Sequence, residues 1–416
     1  MLPVIVVQAL VLTAIGLAFA LSPAEQRRDV QRVLTASDVP ATPAPPRAQP
    51  LVVEPLYDRP DFVSDDDVAA VLKQVLPKFP REELKPNFVE HAVRIWGVDI
   101  QFHNPEVLDG AELRDFLTDH GRYTKSWSKQ NVAPLLTMRS TGVAIRYGAE
   151  PGASVHHDHW LASLTEAGIP LNAPVYGPGR RGATIANVLS ESLRDFRLDE
   201  TEVEWTAMAF GLWLPPTKEW IGANGRHFSF DLIVDRLVRS QRLQGVCSGT
   251  HRVYSLMLLV RLDDEFDILS DEARGKAWSY LTEIRDDLIA AQLPDGQWPS
   301  NWADGAAAAA KPITEEQYQQ VIATGHHLEW LAIAPRELHP PDEQIARAAE
   351  WVVQATVEQT PAEILERYTF FSHVGNALAL WRHTHPAEFW QKWQAQHPTE
   401  TAAAPVEPAA AASAQP

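Results

Sequence analysis

Histidines recur where predicted apolar helices begin, and two of them occupy equivalent places. His251 follows Gly249-Thr250 and His326 follows Thr324-Gly325, each at the start of an apolar run. The positive end of a helix dipole disfavours imidazolium, so histidines there stay neutral and can act as bases or metal ligands. A nearby carboxylate can orient such a base. The predicted catalytic residues are His251, His326, His327 and Glu329.

Other imidazole, carboxylate and indole groups are expected around this catalytic group. If the apolar helices form an inner ring of parallel helices, their N-terminal ends face one mouth and line one funnel. Such a lining suits a polyprenyl chain or a carbohydrate. The predicted ligand-binding residues are His156, His159, Trp160, Glu204, Trp205, Tyr254, Trp330 and His373, with His157 in the same run. The alternative for each histidine is that it caps its own helix or bonds a neighbouring loop.

The single cysteine limits the kinds of metal site that the chain can form. One cysteine cannot form an internal disulfide, and it excludes a four-cysteine zinc module. Together with one or two histidines, Cys247 could still form a three-ligand zinc site with an open position. A cysteine beside an apolar helix is also a common packing residue. Cys247 is therefore a metal candidate, and no cofactor is assigned.

The elements that must position these residues are helices. From residue 155 onward the hydrophobic pattern is that of paired helices, with hardly any strand alternation. The segment 251–262 is apolar nearly all round, whereas 271–288 has one apolar stripe and one charged face. Inner and outer rings of helices require this alternation. We predict an all-α fold, an (α/α) toroid of about five or six helical hairpins behind an N-terminal membrane-spanning or signal helix. An open solenoid of hairpins is the alternative.

An internal repeat supports paired helices. SQRLQGVCSGTH (240–251) aligns with AQLPDGQWPSNW (291–302), an offset of 291 − 240 = 51 residues. In both copies a glycine follows a glutamine by four positions. We predict a staple in which glutamine bonds to the turn, glycine adopts positive φ, and tryptophan packs between neighbouring helix pairs. The residues assigned to it are Gln241, Gly245, Gln292, Gly296 and Trp298.

The segment QLPDGQW (292–298) resembles the QW repeat of squalene/hopene cyclases, and more broadly the terpenoid cyclase and protein prenyltransferase α/α toroid superfamily. The resemblance covers about 200–400 and implies the fold rather than an activity. The Asp-x-Asp-Asp motif that protonates the substrate of those cyclases is missing here. Protein prenyltransferases hold zinc with an Asp-x-Cys pair and a distant histidine. Cys247 and His326 lie in comparable contexts, but Gly245 stands where that aspartate would be.

An acidic run provides a second, weaker metal candidate. The segment 263–267, DDEFD, matches the DDxxD pattern with which class I terpene synthases bind magnesium diphosphate. Two carboxylates on one helical face would suit Mg²⁺. Its position between the end of a predicted helix and the cap residue Ser270 favours a turn instead.

The N-terminus predicts a membrane as partner. The first 21 residues carry no charged side chain and, at ~1.5 Å per residue, cover the ~30 Å hydrocarbon core. Their length and the missing basic n-region favour an uncleaved anchor, while Ala18-Phe19-Ala20 supplies a cleavage site for the alternative, a secreted protein. We expect an exported body, with a cytosol-facing body as the other orientation, since Arg27 and Arg28 flank the far side.

Composition sets the remaining limits. The net charge of −18 excludes a nucleic-acid binder, which needs a basic surface. Two function classes remain. One is a membrane-tethered or exported enzyme or binder with the funnel described above, and the other is a non-catalytic membrane-anchored helical interaction scaffold, with a small-molecule or protein partner unspecified. The predicted divisions are a signal anchor or signal peptide (1–22), a Pro-rich linker (23–60), an irregular, mostly helical part (61–150), helix pairs (151–397) and a disordered Ala/Pro tail (398–416).

Overall fold

The computed structural model describes residues 2–22, 27, 47–179, 182–223, 225–245 and 247–398. Over these residues the chain is mostly helical, with 55% helix, 17 α-helices and three two-stranded antiparallel sheets. The helical class predicted from hydrophobic periodicity is confirmed. The predicted tail from residue 399 onward, and all of the predicted linker before residue 47 except Arg27, lie outside the described residues.

The α-helices are α1 (Leu2–Leu21), α2 (Asp65–Gln74), α3 (Pro86–Trp96), α4 (Gly110–Thr118), α5 (His120–Ser126), α6 (His159–Glu166), α7 (Ile185–Asp195), α8 (Glu204–Trp213), α9 (Phe230–Val238), α10 (Thr250–Phe266), α11 (Asp271–Ala291), α12 (Ala306–Ala310), α13 (Gln317–Ile333), α14 (Asp342–Val357), α15 (Pro361–Glu366), α16 (Tyr368–Leu380) and α17 (Pro386–Gln396). The strands are β1 (Leu136–Met138), β2 (Val143–Ile145), β3 (Pro174–Val175), β4 (Ala183–Thr184), β5 (Glu219–Ile221) and β6 (His227–Ser229). Two 3₁₀ turns span Trp302–Asp304 and Arg336–Leu338.

The uncharged N-terminal stretch forms helix α1. Within the residues that the structure describes, however, no helix combines the length and the apolar character that crossing a membrane requires.

Six helices, named here the inner helices, contact one another in a cyclic order. They are α3, α6, α8, α10, α13 and α16. α3 packs on α6, α6 on α8, α8 on α10, α10 on α13 and α13 on α16, and α16 packs back on α3. Their sequences account for this position, because helices that are apolar on every side must be covered on every side. In α8, for example, all ten residues from Glu204 to Trp213 are buried.

The other helices cover the inner helices with a single apolar face. α11 packs on α9 and α10, and α14 packs on α13 and α2. In α11 the buried positions recur every three or four residues, with Tyr280 and Leu281 adjacent, and Ser270 caps the helix by accepting a bond from the Ala273 N–H. One hydrophobic core extends from Val63 to Trp390. The segment 61–150 therefore shares this core, and it contributes α3 to the inner helices.

The second repeat copy connects the end of α11 to α14. The Gln292 side-chain amide donates to the Gly296 carbonyl, 2.7 Å away, and to a carbonyl of α14. Gly296 has φ +106°, and a Cβ there would lie 2.5 Å from the Arg347 carbonyl oxygen, so the position requires glycine. Trp298 is fully buried, and its indole N–H donates to the Leu288 carbonyl at 2.9 Å.

Residues 47–60, named here the N-terminal strap, cross the C-terminal ends of the inner helices. The Leu51 N–H donates to the Leu212 carbonyl at 2.9 Å, and the Leu56 N–H donates to the Ala332 carbonyl at 3.1 Å. The last carbonyls of a helix have no donor within the helix, so the strap satisfies them. The described part of the predicted linker is therefore bound to the body.

Candidate functional site

Six aromatic side chains, one from each inner helix, contact one another in the same cyclic order as the helices. We name them the histidine ring. Its members are His91, His159, Trp205, His251, His326 and His373. The ring centroids are 4.1 Å apart for His159–Trp205, 4.3 Å for Trp205–His251, 4.8 Å for His251–His326, 3.9 Å for His326–His373, 5.3 Å for His373–His91 and 4.6 Å for His91–His159. No member is more than 4% exposed.

A second set of polar side chains lies one turn further along these helices. Arg94 follows His91 by three residues, Tyr254 follows His251, Glu329 follows His326, and Asn376 follows His373. Residues three apart share a helix face, so these four side chains meet next to the ring. Glu329 accepts bonds from Arg94 at 2.8 Å and from Asn376 at 2.6 Å. We name Arg94, Glu166, Tyr254, Glu329 and Asn376 the charged layer.

The charged layer holds one guanidinium between two carboxylates. Arg94 donates to Glu329 and also to Glu166, which accepts a further bond from the Tyr254 hydroxyl at 3.1 Å. The Arg94 and Glu329 side chains are only 2% and 1% exposed. Desolvation by itself lowers the pKa of Arg94, but Glu166 and Glu329 together raise it well above its usual value. Arg94 therefore stays charged inside the protein, and its charge is compensated.

The ring histidines are neutral at physiological pH. Desolvation lowers the pKa of all five, with His326 brought to about 4. The His326 Nδ1 lies 2.7 Å from the Ile322 carbonyl oxygen, which can only accept, so Nδ1 carries the proton and Nε2 carries a lone pair. Neutral imidazoles with a free lone pair are the form that binds metals.

Three side chains converge with the separations of a metal site. Ligand atoms of Cys247, His251 and His326 all lie within 4.8 Å of one another, and no other such group exists in the described part of the chain. The two Nε2 atoms are 3.2 Å apart. Tetrahedral Zn²⁺ with Zn–N near 2.05 Å requires about 3.3 Å between nitrogens and about 3.6 Å between sulfur and nitrogen. The nitrogens already match, and the sulfur-to-nitrogen distances, at most 4.8 Å, need to shorten by no more than about 1.2 Å (4.8 − 3.6). Without a metal, the 3.2 Å contact between the two Nε2 atoms is a hydrogen bond that His251 donates to His326.

The backbone that carries Cys247 is strained. Cys247 and Ser248 have φ of +49° and +56°, between Gly245 at +96° and Gly249 at +78°. A residue with a side chain costs roughly 1–2 kcal/mol in this left-handed region, and such strain concentrates at functional sites. Arg252 is buried and holds the loop by donating to its carbonyls. Desolvation raises the pKa of the Cys247 thiol to about 12, so the free thiol stays protonated.

Most of the predicted funnel residues come together. The ring contains the predicted His159, Trp205, His251, His326 and His373, and the charged layer contains the predicted Tyr254 and Glu329. Cys247 joins them through the candidate metal group. His251 and His326 meet, as predicted from the Gly/Thr pair before each of them. The helix start predicted at His326 is wrong, because α13 begins at Gln317, whereas His251 is the second residue of α10.

Two residues predicted next to His326 lie elsewhere. His327 packs against Trp302, with ring centroids 4.5 Å apart, and accepts a bond from the Trp330 indole at 3.0 Å. Successive residues of a helix point about 100° apart, so His327 cannot share the direction of His326. His327 and Trp330 therefore lie next to the tryptophan staple and not in the histidine ring, and the catalytic and binding roles predicted for them stay predictions.

Four more residues of the predicted funnel lie outside the histidine ring, and they are Trp160, Glu204, His156 and His157. Trp160 donates to the Leu117 carbonyl of α4 at 3.2 Å, because it faces away from the axis. The Glu204 carboxylate lies 3.4 Å from Arg252 and is used to hold the loop. His156 pairs with Glu202 at the edge, its ring centroid 5.8 Å from that of His159.

His157 packs against Tyr147, with ring centroids 4.9 Å apart. The acidic run 263–267 ends α10, where Asp263 pairs with Arg274 and accepts a bond from the Leu269 N–H at 2.7 Å. Asp263, Asp264, Glu265 and Phe266 are the last residues of α10, so the prediction of a turn after the helix is wrong for all of the run except Asp267.

No family model, no curated protein and no solved structure matches this chain.

Sequence reasoning missed the contribution of α3. His91 and Arg94 come from a stretch that was interpreted as irregular, and Glu90 precedes them. Their spacing was a usable signal, since a histidine followed three residues later by a polar residue also occurs at His326 and Glu329. The pattern recurs on four inner helices and could have identified α3 as one of them.

Glu90 supplies a pH-dependent test of this polar core. Its carboxylate is fully buried and lies 2.7 Å from the His159 Nδ1. Desolvation raises the pKa of Glu90 to about 8, outweighing the opposite influence of Ser154 and His156. The folded state therefore holds the proton more tightly than the unfolded state, so this stabilisation is complete below about pH 4.5 and is lost as the pH rises through 8.

We expect Glu90→Gln to be more stable than the wild type at pH 9, by on the order of a few kcal/mol, and to show no such advantage at pH 4. Urea denaturation at a series of pH values measures this. Glu350→Gln, which changes an exposed carboxylate on α14, should follow the wild type at every pH. Parallel pH curves for Glu90→Gln and the wild type would contradict the prediction.

Proposed function

We propose that this protein is a metal-dependent enzyme whose zinc ion is held by Cys247, His251 and His326. The observation that carries the proposal is the 3.2 Å separation of the two Nε2 atoms, in a group whose ligand atoms lie within 4.8 Å of one another. Three protein ligands leave a fourth position for water or substrate, as in catalytic zinc sites. A zinc ion there would polarise a substrate group or activate water.

The proposal includes an (α/α) toroid as the fold. Its support is the cyclic packing of the inner helices, since an open solenoid has no reason to return α16 to α3. The six side chains of the histidine ring contact one another in the same cyclic order as the inner helices. The QLPDGQW segment at 292–298 adds the resemblance to the terpenoid cyclase and protein prenyltransferase superfamily.

The chain departs from the prenyltransferase zinc pattern at Gly245. A Cβ at that position would lie 2.6 Å from the Glu204 carboxylate, so Glu204 occupies the space that an aspartate side chain would need. Because Glu204 is paired with Arg252, two histidines rather than a carboxylate accompany the cysteine in our proposal.

None of the three proposed zinc ligands lines the cavity next to the charged layer, so the size of this cavity does not limit the substrate group at the metal. This cavity, between the charged layer and the N-terminal strap, measures about 50 Å³. Pockets for drug-sized ligands measure roughly 300–1,000 Å³. That cavity therefore offers no support for a polyprenyl or carbohydrate ligand. Cys247 is partly exposed while both histidines are buried, so we place the access to the metal on the side of Cys247.

The second candidate function is a non-catalytic interaction scaffold. One observation favours it, which is that every member of the histidine ring is at most 4% exposed. In a scaffold the ring is simply a filled core, with His251 donating a hydrogen bond to His326. A metal, if bound, would then have a structural role.

Zinc titration of the full chain tests the proposal. After removal of metals, we expect one zinc per chain, measured by mass spectrometry and by competition with a chromophoric chelator. Cys247→Ser, His251→Gln and His326→Gln should each weaken zinc binding at least about a hundredfold, since each removes a ligand. His339→Gln changes a mostly buried histidine that bonds the end of α13, and it should bind zinc like the wild type.

Hydrolysis of 4-nitrophenyl acetate separates the two candidate functions. Zinc-dependent turnover that is lost in His326→Gln supports the enzyme. Zinc binding without turnover supports the scaffold with a structural metal. Zinc binding by His326→Gln equal to that of the wild type, in folded protein by circular dichroism, would contradict the proposed metal site.

A further inference from the structure

The imidazole of His373 lies beside two of the proposed metal ligands. Its side chain is fully buried, and its Nε2 has no hydrogen-bond partner among the residues that the structure describes. Its ring centroid is 3.9 Å from that of His326 and 4.9 Å from that of His251. A buried nitrogen without a partner is costly, so a group absent from the protein itself is expected to meet it.

The other nitrogen of His373 is fixed by the charged layer. His373 Nδ1 lies 2.9 Å from the Glu329 Oε2 and 3.0 Å from Arg94 Nη1. The other carboxylate oxygen, Oε1, already accepts bonds from Arg94 and Asn376, whereas Oε2 faces only His373. Arg94 Nη1 can only donate and already donates to Oε1, whereas Oε2 can only accept and has no other donor among the described residues. Nδ1 therefore carries the proton and Nε2 carries the lone pair. Histidines at metal sites are commonly oriented by a carboxylate in this way.

The geometry places His373 beside the metal rather than on it. His373 is not part of the group whose ligand atoms lie within 4.8 Å of one another. A water bound to zinc at roughly 2.0 Å that donates a hydrogen bond of roughly 2.8 Å puts its acceptor about 4 Å from the metal. Such a water would satisfy the free Nε2.

We infer that His373, positioned by Glu329, accepts a hydrogen bond from the group on the fourth coordination position, so that the site selects ligands that carry a hydrogen. Water and other protic ligands satisfy the lone pair of Nε2. The lone pairs of an aprotic anion such as thiocyanate would face the lone pair of Nε2 and be repelled by it. The inference rests on the metal site proposed above and adds to it the chemical class of its fourth ligand.

Cobalt substitution tests this selection without knowledge of the substrate. The full chain is loaded with Co²⁺, and thiocyanate binding is followed by the change in visible absorption. In His373→Leu the water loses its acceptor and the anion loses the opposing lone pair. We expect thiocyanate to bind about tenfold more tightly, the equivalent of one hydrogen bond, with Co²⁺ affinity within about threefold of the wild type. His339→Gln is the matched control and should keep the wild-type thiocyanate affinity.

A second variant allows the inference to be tested even where His373→Leu does not fold. His373→Gln retains a polar side chain that can donate from its amide, and we expect it to bind thiocyanate at least as tightly as His373→Leu does. Unchanged thiocyanate affinity in both variants would overturn the inference and leave the metal site standing. Loss of Co²⁺ binding by more than about thirtyfold in His373→Gln would make His373 a ligand and also overturn it. A wild-type chain that binds no Co²⁺ would refute the proposed function itself.

Discussion

Arg94→Met is expected to lower the free energy of unfolding by about 3–5 kcal/mol, because it removes one partner of a buried ion pair. The Arg94 side chain is 2% exposed and lies between Glu166 and Glu329. Without it, two carboxylates remain in the core with only Tyr254 and Asn376 as hydrogen-bond donors from the charged layer. Equilibrium urea denaturation at pH 7 measures the loss.

Two further variants show that the effect arises from burial. Arg81→Met removes an exposed pair with Glu112, and it should cost no more than about 1 kcal/mol. Combining Arg94→Met with Glu329→Gln should cost less than the sum of the single changes, because the two groups interact directly. A loss below about 1 kcal/mol for Arg94→Met alone would show that the charged layer is not a coupled buried network.

Trp298→Ala is expected to cost about 3–5 kcal/mol, the usual range for removing a large aromatic side chain from a core. The indole is fully buried, and its N–H donates to the Leu288 carbonyl at the end of α11. Its main-chain N–H donates to the Thr324 hydroxyl of α13 at 3.0 Å. The substitution therefore opens a cavity between neighbouring helix pairs and removes a bond that joins the turn to α11.

Trp278→Ala on α11 is the control, because that tryptophan is only half-buried and should cost clearly less. Thermal melting followed by circular dichroism compares the two variants. An unchanged melting temperature in Trp298→Ala would mean that the interpretation of QLPDGQW as a structural staple is wrong.

Local sequence patterns predicted a large part of the fold. The apolar run of α10 and the one-sided run of α11 predicted a buried and a half-buried helix, since burial on all sides or on one side follows from which positions are apolar. The turn at 292–298 could be predicted because a glutamine, a glycine and a tryptophan at fixed spacing have separate structural roles. The meeting of His251 and His326 was predicted from the Gly/Thr pair that precedes each of them.

Other features depended on contacts between residues distant in the sequence. Periodicity does not tell whether His326 or its neighbour His327 faces the axis, because both lie on a helix that is apolar on every side. The side of α13 that meets α10 and α16 decides it. Likewise His91 enters the ring because α16 packs back onto α3, which is nearly 280 residues earlier in the chain.

The sequence by itself therefore determined the helical class, the staple turn and the residue types available for chemistry, because these depend on neighbours within a few positions. Only the tertiary structure decided which other residues meet His251 and His326. It brought His91 and Arg94, which the sequence analysis did not assign, to the candidate site and placed His327 elsewhere. The reason is physical: the direction of a side chain on an evenly apolar helix is fixed by the helices packed around it, and that packing is set by the whole core.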